Sequence, residues 1–385
     1  MTPQDFDNQT TGRLLNLGTA RWAFVPYPLP PSLEWTPSLL NCLSEADRAI
    51  GQLAAWGGAL PNFDPYLLVR PFINREAVLS SRIEGTQASL SDLYALDAQQ
   101  PFSSEQRRED TLEVRNYVRA LEHGLQRRQS LPISLRLLRE MHAILMDGAR
   151  GAKRDPGEFR RSQVWIGGTG SRIEQARYVP APPGLELEQA LTALEQYLHH
   201  VGGLPPLIKI ALLHHQFEAI HPFLDGNGRI GRLLIALLLV DWQILPQPLL
   251  YLSAFFERHR QAYYDHLLAV STKGEWGQWL EFFLQGVATE ARDANQRLQQ
   301  LTNLQREYRE RLSDMTSNSI KAMDSLFGQP ITTLRQLEQT LGLSFEATRR
   351  IVARLEEAGI ITEITGRKRG KLYAAQEIML ILDRH

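Results

Sequence analysis

HPFLDGNGRIGR, His221 to Arg232, runs straight into the apolar stretch LLIALLLV, Leu233 to Val240. An apolar pattern of helical period from Leu207 to Ile220 stops at His221, and a second one resumes from Arg229 to Trp242. The twelve residues therefore read as a glycine loop between two buried helices. GNGRIG also satisfies GxGxxG, but a dinucleotide fingerprint needs a strand before it, a βαβ unit around it and an acid about 20 residues further on. The residues ahead of this loop are helical in pattern and no parallel-strand alternation occurs, so that reading is set aside. GRKRGK, Gly366 to Lys371, is too short for a phosphate-binding Walker sequence and lacks its Ser or Thr.

A glycine loop that opens a helix has a definite chemistry. Gly226 and Gly228 lack a Cβ, so the backbone can turn its N–H groups toward an anion, and the helix's positive end adds to the attraction. Phosphate is the natural guest. Arg229 and Arg232 stand three apart on the first turn, where two guanidiniums on one face can hold polyphosphate oxygens, although such a pair also occurs on solvated faces. Asn227 reads as a side chain that fixes the loop through its backbone. Asp225 reads either as the helix N-cap or as a ligand of Mg²⁺, which takes one or two carboxylates and completes its shell with phosphate and water. His221 is suited to removing a proton from a hydroxyl near neutrality, and Phe223 to anchoring the loop in the core. His214, His215, Glu218 and His221 form a cluster of zinc-type ligands, but HExxH is absent, so a zinc hydrolase is not favoured.

The chain has 385 residues with 43% hydrophobic content, enough for two or three domains. A formal net charge of -1 gives no global pull toward nucleic acid or membrane, so any charged partner must be met by a local patch. Cys42 is the single cysteine; without an internal disulfide the chain fits a reducing cytoplasm. The opening MTPQDFDNQTTGRLL does not read as a secretory signal, and Leu233–Val240 is too short to span a bilayer.

Proline-rich text, PYPLPPSLEWTP, precedes helical spacing from Leu39 to Trp56 and from Leu67 to Leu96, so the first hundred residues read as helical. Further helices are expected over Glu109–Arg127, Ser134–Met146 and Leu185–Val201. GEFRRSQVWIGGTGSRIEQARYVPAPP differs: a β run at Val164, Trp165 and Ile166, a Gly-Gly-Thr-Gly turn and a second run at Tyr178–Val179 predict a β-hairpin, a candidate lid. Long polar helices follow from Trp276 to about Met315. In the last part, two helices meeting at Gly342 and two strands flanking GRKRGK outline a winged helix-turn-helix. Arg349, Arg350 and Arg354 on its second helix, with Arg367, Lys368, Arg369 and Lys371 at the wing tip, are candidate DNA contacts, diluted by Glu346, Glu356 and Glu357. Such modules also serve as dimer or protein docking units.

HPFLDGNGRIGR matches HxFx(D/E)GNGRxxR at every specified position and so resembles the Fic family. EAVLSSRIEGT upstream, the GEFR segment with its hairpin, and YLSAFFERHRQAYYDHL downstream resemble Fic proteins with an N-terminal inhibitory helix and a C-terminal winged helix. The resemblance implies a mainly α chain: a helical region with the inhibitory helix over 1–110, a Fic core over 111–275 with a β-hairpin flap, connecting helices over 276–318 and a winged helix over 319–385. It implies transfer of AMP from ATP to a Ser, Thr or Tyr hydroxyl of a protein, self-modification included. By position, His221 is then the base, Asp225 the ligand of Mg²⁺ or Mn²⁺, and Gly226, Asn227, Gly228, Arg229, Ile230, Gly231 and Arg232 the ATP cradle. Where such proteins often show Asn before Arg, this chain has Arg258 and His259 as the candidate adenine contacts. The flap, Val164 to Ile166, would take the target as an added strand.

SSRIEG matches the family's inhibitory pattern (S/T)xxxE(G/N), with Ser80 first and Glu84 the acid. Gly85 reads as a helix C-cap, which places Glu84 in the last turn, where its charge opposes the helix dipole at a cost of a few tenths of a kcal/mol. A partner elsewhere would explain it, and the resemblance names Arg232. The expectation is an autoinhibited adenylyltransferase of the cytoplasm. Its alternative is a DNA-binding regulator whose Fic region mainly senses nucleotide, and on either reading a homodimer is a candidate assembly.

Overall fold

The computed structural model describes residues 3–6, 10–18, 21–56, 65–99, 101–102, 104–148, 154–168, 172–312 and 316–383. Among the described residues, fifteen α-helices carry most of the structure. At the centre lie α7 (Pro206–Ile220) and α8 (Asn227–Asp241), apolar nearly all round and buried on nearly every side, as a helix must be when neighbours cover its whole circumference. α4 (Glu105–Arg127), α5 (Leu135–Leu145) and α6 (Leu185–His199) enclose this pair from one side. α9 (Ser253–Arg258), α10 (Arg260–Lys273) and the 36-residue α11 (Trp276–Arg311) enclose it from the other. α1 (Pro37–Trp56) lies along α11, and α2 (Pro65–Ile83) packs on α9, α4 and α12 (Ser317–Gly328). Between α2 and α4 comes α3 (Leu90–Asp97), started by a Ser89–Asp92 capping box.

The first hundred residues are not all helical. β1 (Gly12–Gly18) and β2 (Arg21–Pro26) form an antiparallel pair ahead of the proline-rich text. The expected helix over Leu67–Leu96 is two helices, because the chain breaks at 84–89 where Gly85 takes φ +100°. The expected hairpin at Val164–Val179 contracts to a single antiparallel bridge, Ile166 to Tyr178. Thr169 and Gly170 of its Gly-Gly-Thr-Gly turn lie outside the described residues. Two cores result: a large one continuous from Leu39 to Leu382, and a small one of Phe6, Ala23, Phe24, Ala176, Tyr178, Val179 and Ala219 beneath the flap.

After α12 come β3 (Ile331–Thr333), α13 (Leu334–Leu341), α14 (Phe345–Glu357), β4 (Thr362–Glu363), β5 (Leu372–Ala374) and α15 (Gln376–Asp383). The strands form one antiparallel sheet in the order β3-β5-β4. A Thr333–Gln336 capping box starts α13, and Gly342 in the left-handed region ends it. The boundary expected at residue 110 falls inside α4, and α11 runs to Arg311. No described helix is long and apolar enough to cross a membrane.

Candidate active site

α7 stops because His221 takes φ 50°, ψ 61°, turning the chain while its N–H still bonds to Phe217 O. Asn227 then fixes the loop: Oδ1 accepts from the Phe223 N–H at 2.8 Å, and Nδ2 donates to Phe223 O at 2.9 Å. The fully buried Phe223 ring stacks on His142 at 3.8 Å and an angle of 7°. His142 Nδ1 accepts from the Gly157 N–H at 2.8 Å, which leaves the proton on Nε2 to donate to Asp225 O at 3.0 Å. Burial, with the Arg229 charge adding to it, holds this imidazole at a pKa of about 4, neutral as those two bonds require.

The outer side of the turn is held by one arginine. Arg160, 2% exposed, donates from Nε to His221 O at 2.9 Å and from Nη2 to Ala181 O and to Ile220 O, the latter at 3.3 Å. Its own N–H bonds Pro222 O at 2.9 Å. The His221 ring faces a cavity of about 380 Å³ whose wall also includes Glu84, Glu218, Gly228 and Arg232, the flap residues Ile166, Arg177 and Tyr178, and Arg260, Tyr263 and Tyr264 from α10. Burial first, and then the nearby Arg160 charge, holds His221 at about 4, so the ring is an uncharged base at neutral pH. Burial pushes Glu218 up to about 8, against the pull of Arg232, so it enters the cavity as a carboxylic acid.

Arg232 is 3% exposed and its guanidinium is held by α2 and the residue after it. Nε donates to Ser80 Oγ at 2.8 Å, and Nη2 donates to Ser80 O at 3.0 Å and to Glu84 Oε1 at 2.7 Å. Removal from solvent opposes the charge on Glu84, but the Arg232 guanidinium outweighs it and keeps the carboxyl below the usual range. Glu84 follows the last residue of α2 rather than sitting in its last turn. A Cβ on Gly228 would come within 2.4 Å of Glu84 Oε1, so only glycine lets the acid approach the start of α8 this closely. Arg229 turns away from Arg232: Nη1 lies 3.6 Å from Glu113 of α4 and Nη2 lies 3.5 Å from Asp225.

Asp225 is not the helix N-cap. Gly226 holds that position in the left-handed region, and Asp225 Oδ1 accepts the N–H of Gly226, the next residue, at 2.6 Å. The Asp225 side chain is 49% exposed, a hard oxygen donor beside the loop, and it fits a divalent cation that draws its other ligands from phosphate and water. Among the described residues no group of three His, Cys, Asp or Glu could hold a metal. His214 donates to Gly231 O and accepts from Tyr263 Oη at 2.8 Å, and His215 bonds Leu267 O, which disposes of the zinc cluster.

Arg258 and His259 do not reach the cavity, contrary to expectation. The break between α9 and α10 points both toward α11, where Arg258 pairs with Glu290 and His259 packs on Phe255 and Phe282. Arg260, over the Tyr264 ring at 5.8 Å, lines the cavity in their place. On the flap, Trp165 is 41% exposed while Ile166 and Gly167 form part of the cavity wall. The roles of Arg160, His142, Glu113 and Arg260 were not assigned from sequence. Each acts across 60 or more residues of chain or from a separate helix, and only GEFR hinted at the first.

The Fic/DOC family model matches residues 132–239, and the Fic/DOC family N-terminal model matches residues 40–126, together just over half of the chain. The chain belongs to the Fic/DOC family. Proteins named Protein adenylyltransferase Fic are similar to it: that of Drosophila erecta is 28% identical over 210 residues, covering 51% of this chain and 38% of its own length. That of Drosophila virilis is 31% identical over 159 residues, covering 40% and 28%. The matched part is thus well under half the length of these curated relatives. A crystal structure of a Fic family protein from Desulfovibrio desulfuricans G20 superposes with a TM-score of 0.58 at 22% identity, covering 90% of this chain and 98% of that one. Fic-1 of C. elegans, residues 134–508, gives 0.50 at 21%, covering 68% and 73%. At these identities the likeness is one of fold.

Proposed function

We propose that this Fic/DOC family chain transfers AMP from ATP to a Ser, Thr or Tyr hydroxyl of a protein, itself included, and that Glu84 restrains the transfer. The observation that carries the reading is the 2.7 Å pair between Glu84 and Arg232: an acid from another element occupies the one buried guanidinium that the glycine loop presents to the cavity. Relatives named for the same activity support it.

The chemistry follows from the site. Neutral His221 takes the proton of the target hydroxyl, whose oxygen then bonds to the α-phosphorus. The bond from that phosphorus to the bridging oxygen breaks, and pyrophosphate leaves. The amides of Gly226 to Gly228 and the guanidinium of Arg232 hold the phosphates, while Arg229, drawn to Glu113 and Asp225, steadies the loop beside them. Asp225 would hold Mg²⁺ or Mn²⁺, which, when bound, neutralises phosphate charge. With Glu84 on Arg232, the phosphates lose a donor and meet a carboxylate. The flap edge from Val164 to Ile166 receives the target backbone, so little target sequence is read.

The 319–385 segment we read as a winged helix-turn-helix. One observation favours the second reading, a DNA-binding regulator that senses nucleotide: a cleft of about 1100 Å³ beside α14, whose lining includes Arg335, Arg349, Lys368, Arg369 and Lys371 against Asp97, Glu338 and Glu356. The same module could join two copies of the chain. A single cysteine fits a cytoplasmic setting.

Labelled ATP with a cell extract decides between the readings. Glu84→Gly should raise AMP on protein by about tenfold or more, the scale of one charge-assisted hydrogen bond. His221→Ala in that background should remove about 10²-fold or more. Equal labelling by the parent and Glu84→Gly rejects the restraint, and nucleotide binding without labelling by either favours the regulator.

A further inference from the structure

We infer that the β1–β2 hairpin is the outer frame of the flap and sets where a target segment is laid, a positioning element for the protein substrate rather than for ATP. The inference rests on the adenylyltransferase reading. The Phe24 N–H of β2 donates to Val179 O at 2.8 Å, and Phe24 and Pro180 form a parallel bridge. On the far side of that segment, the Ile166 N–H donates to Tyr178 O at 2.8 Å, and the Tyr178 N–H returns to Ile166 O at 3.1 Å. β1, β2, residues 178–180 and Ile166 therefore form one hydrogen-bonded layer, although the flap on its own has a single bridge. A single bridge does not hold a strand edge in register, because short pairs need a third partner or a packed face to be stable.

The layer has both. Phe24 lies between Phe6, at 5.4 Å between ring centroids, and Tyr178, at 6.0 Å. Tyr178 Oη donates to Ala219 O at 2.8 Å, two residues before His221, so the layer is also tied to the end of α7. Arg21 of β2 pairs with Glu174 at 2.7 Å, which holds the segment just before residues 178–180. Apart from Ala219, this small cluster shares no residue with α7 or α8. Residues 12–26 also lie outside both family matches, which begin at residue 40. The hairpin therefore supports the flap from outside the matched family segments.

The test uses the full chain with Glu84→Gly, carrying Phe24→Ala or Arg21→Glu. Hydrogen exchange at the Ile166 and Tyr178 amides, calorimetric ATP affinity and AMP label on proteins of one fixed cell extract are read together. Phe24→Ala should speed Ile166 exchange and lower labelling by about fivefold or more, with ATP affinity within about twofold, because local opening at the flap leaves the rest of the fold closed. Arg21→Glu should do so to a smaller extent, and adding Glu174→Arg should restore it; that rescue separates a framing contact from general damage. Unchanged Ile166 exchange in Phe24→Ala, or labelling that falls only in step with ATP affinity, overturns the inference. If Glu84→Gly alone labels nothing, the adenylyltransferase reading fails by itself, and exchange at Ile166 still decides whether the hairpin frames the flap.

Discussion

In the proposed transfer His221 is the base, and its neighbours tune it for that role. Its ordinary pKa near 6.5 is brought down to about 4 by burial and by Arg160, whose charge stands beside the ring while its Nε–H holds the His221 carbonyl. The proposed transfer uses the neutral form, so lowering the pH removes activity only where the ring protonates. The rate of AMP transfer should therefore be flat from about pH 7.5 down to about pH 5 and fall on approaching pH 4; a limb near 6.5 in a pH–rate profile would contradict this. Arg160→Met should move that limb upward, because a cation that disfavours imidazolium is gone. It should also cost about 3 kcal/mol in a denaturant titration, since three buried carbonyls lose a charged donor. His221, Asp225 and the glycines were legible because their chemistry is local to twelve residues. Arg160, His142 and Glu113 were not, since a long-range partner leaves no mark on the spacing of the motif it supports.

α2 is the element on which the restraint depends. It offers Ser80 from its last turn and Glu84 just beyond it, so Arg232 meets a hydroxyl, a carbonyl and a carboxylate from a five-residue stretch. Gly85 makes this geometry available by taking φ +100°, which an L side chain rarely adopts, in open space where a Cβ would touch nothing. Gly85→Ala therefore adds strain without a clash. It should lower stability by roughly 1–2 kcal/mol and raise AMP transfer, though less than Glu84→Gly, as the displaced turn weakens the pair. Parent-like stability together with parent-like transfer would show that the turn is not under this constraint. At this scale the helices were readable from apolar period, and their ends from Gly and Pro. The β1–β2 pair was not: GRLLNLG and RWAFVP alternate weakly and stand beside proline-rich text, and they bond to residues 174–180, far along the chain. The flap was over-read for the converse reason, since a β run flanked by glycines says nothing about how many partners it finds.

Apart from the small cluster beneath the flap, the chain is held by one core that runs from Leu39 to Leu382. α11 extends from Trp279, whose indole N–H donates to Ala211 O of α7, to Arg309, which pairs with Asp324 of α12. α12 in turn packs on α2, the helix that offers Ser80 to Arg232 and ends just before Glu84. Cooperative unfolding follows from such continuity, and the tryptophans provide a test. All seven lie between Trp22 and Trp279, so their fluorescence reports only on the N-terminal and catalytic parts. Phe327→Ala empties a place 6.0 Å from the Tyr308 ring, in a helix that holds no tryptophan, at a cost of about 3–5 kcal/mol. If α11 and α2 transmit that loss, tryptophan fluorescence and far-ultraviolet circular dichroism should melt together, both lowered by roughly 4 °C. A fluorescence midpoint that stays at the parent value while ellipticity melts earlier would mean that the C-terminal unit unfolds alone. Coupling between its basic cleft and the Glu84–Arg232 pair would then have no mechanical basis.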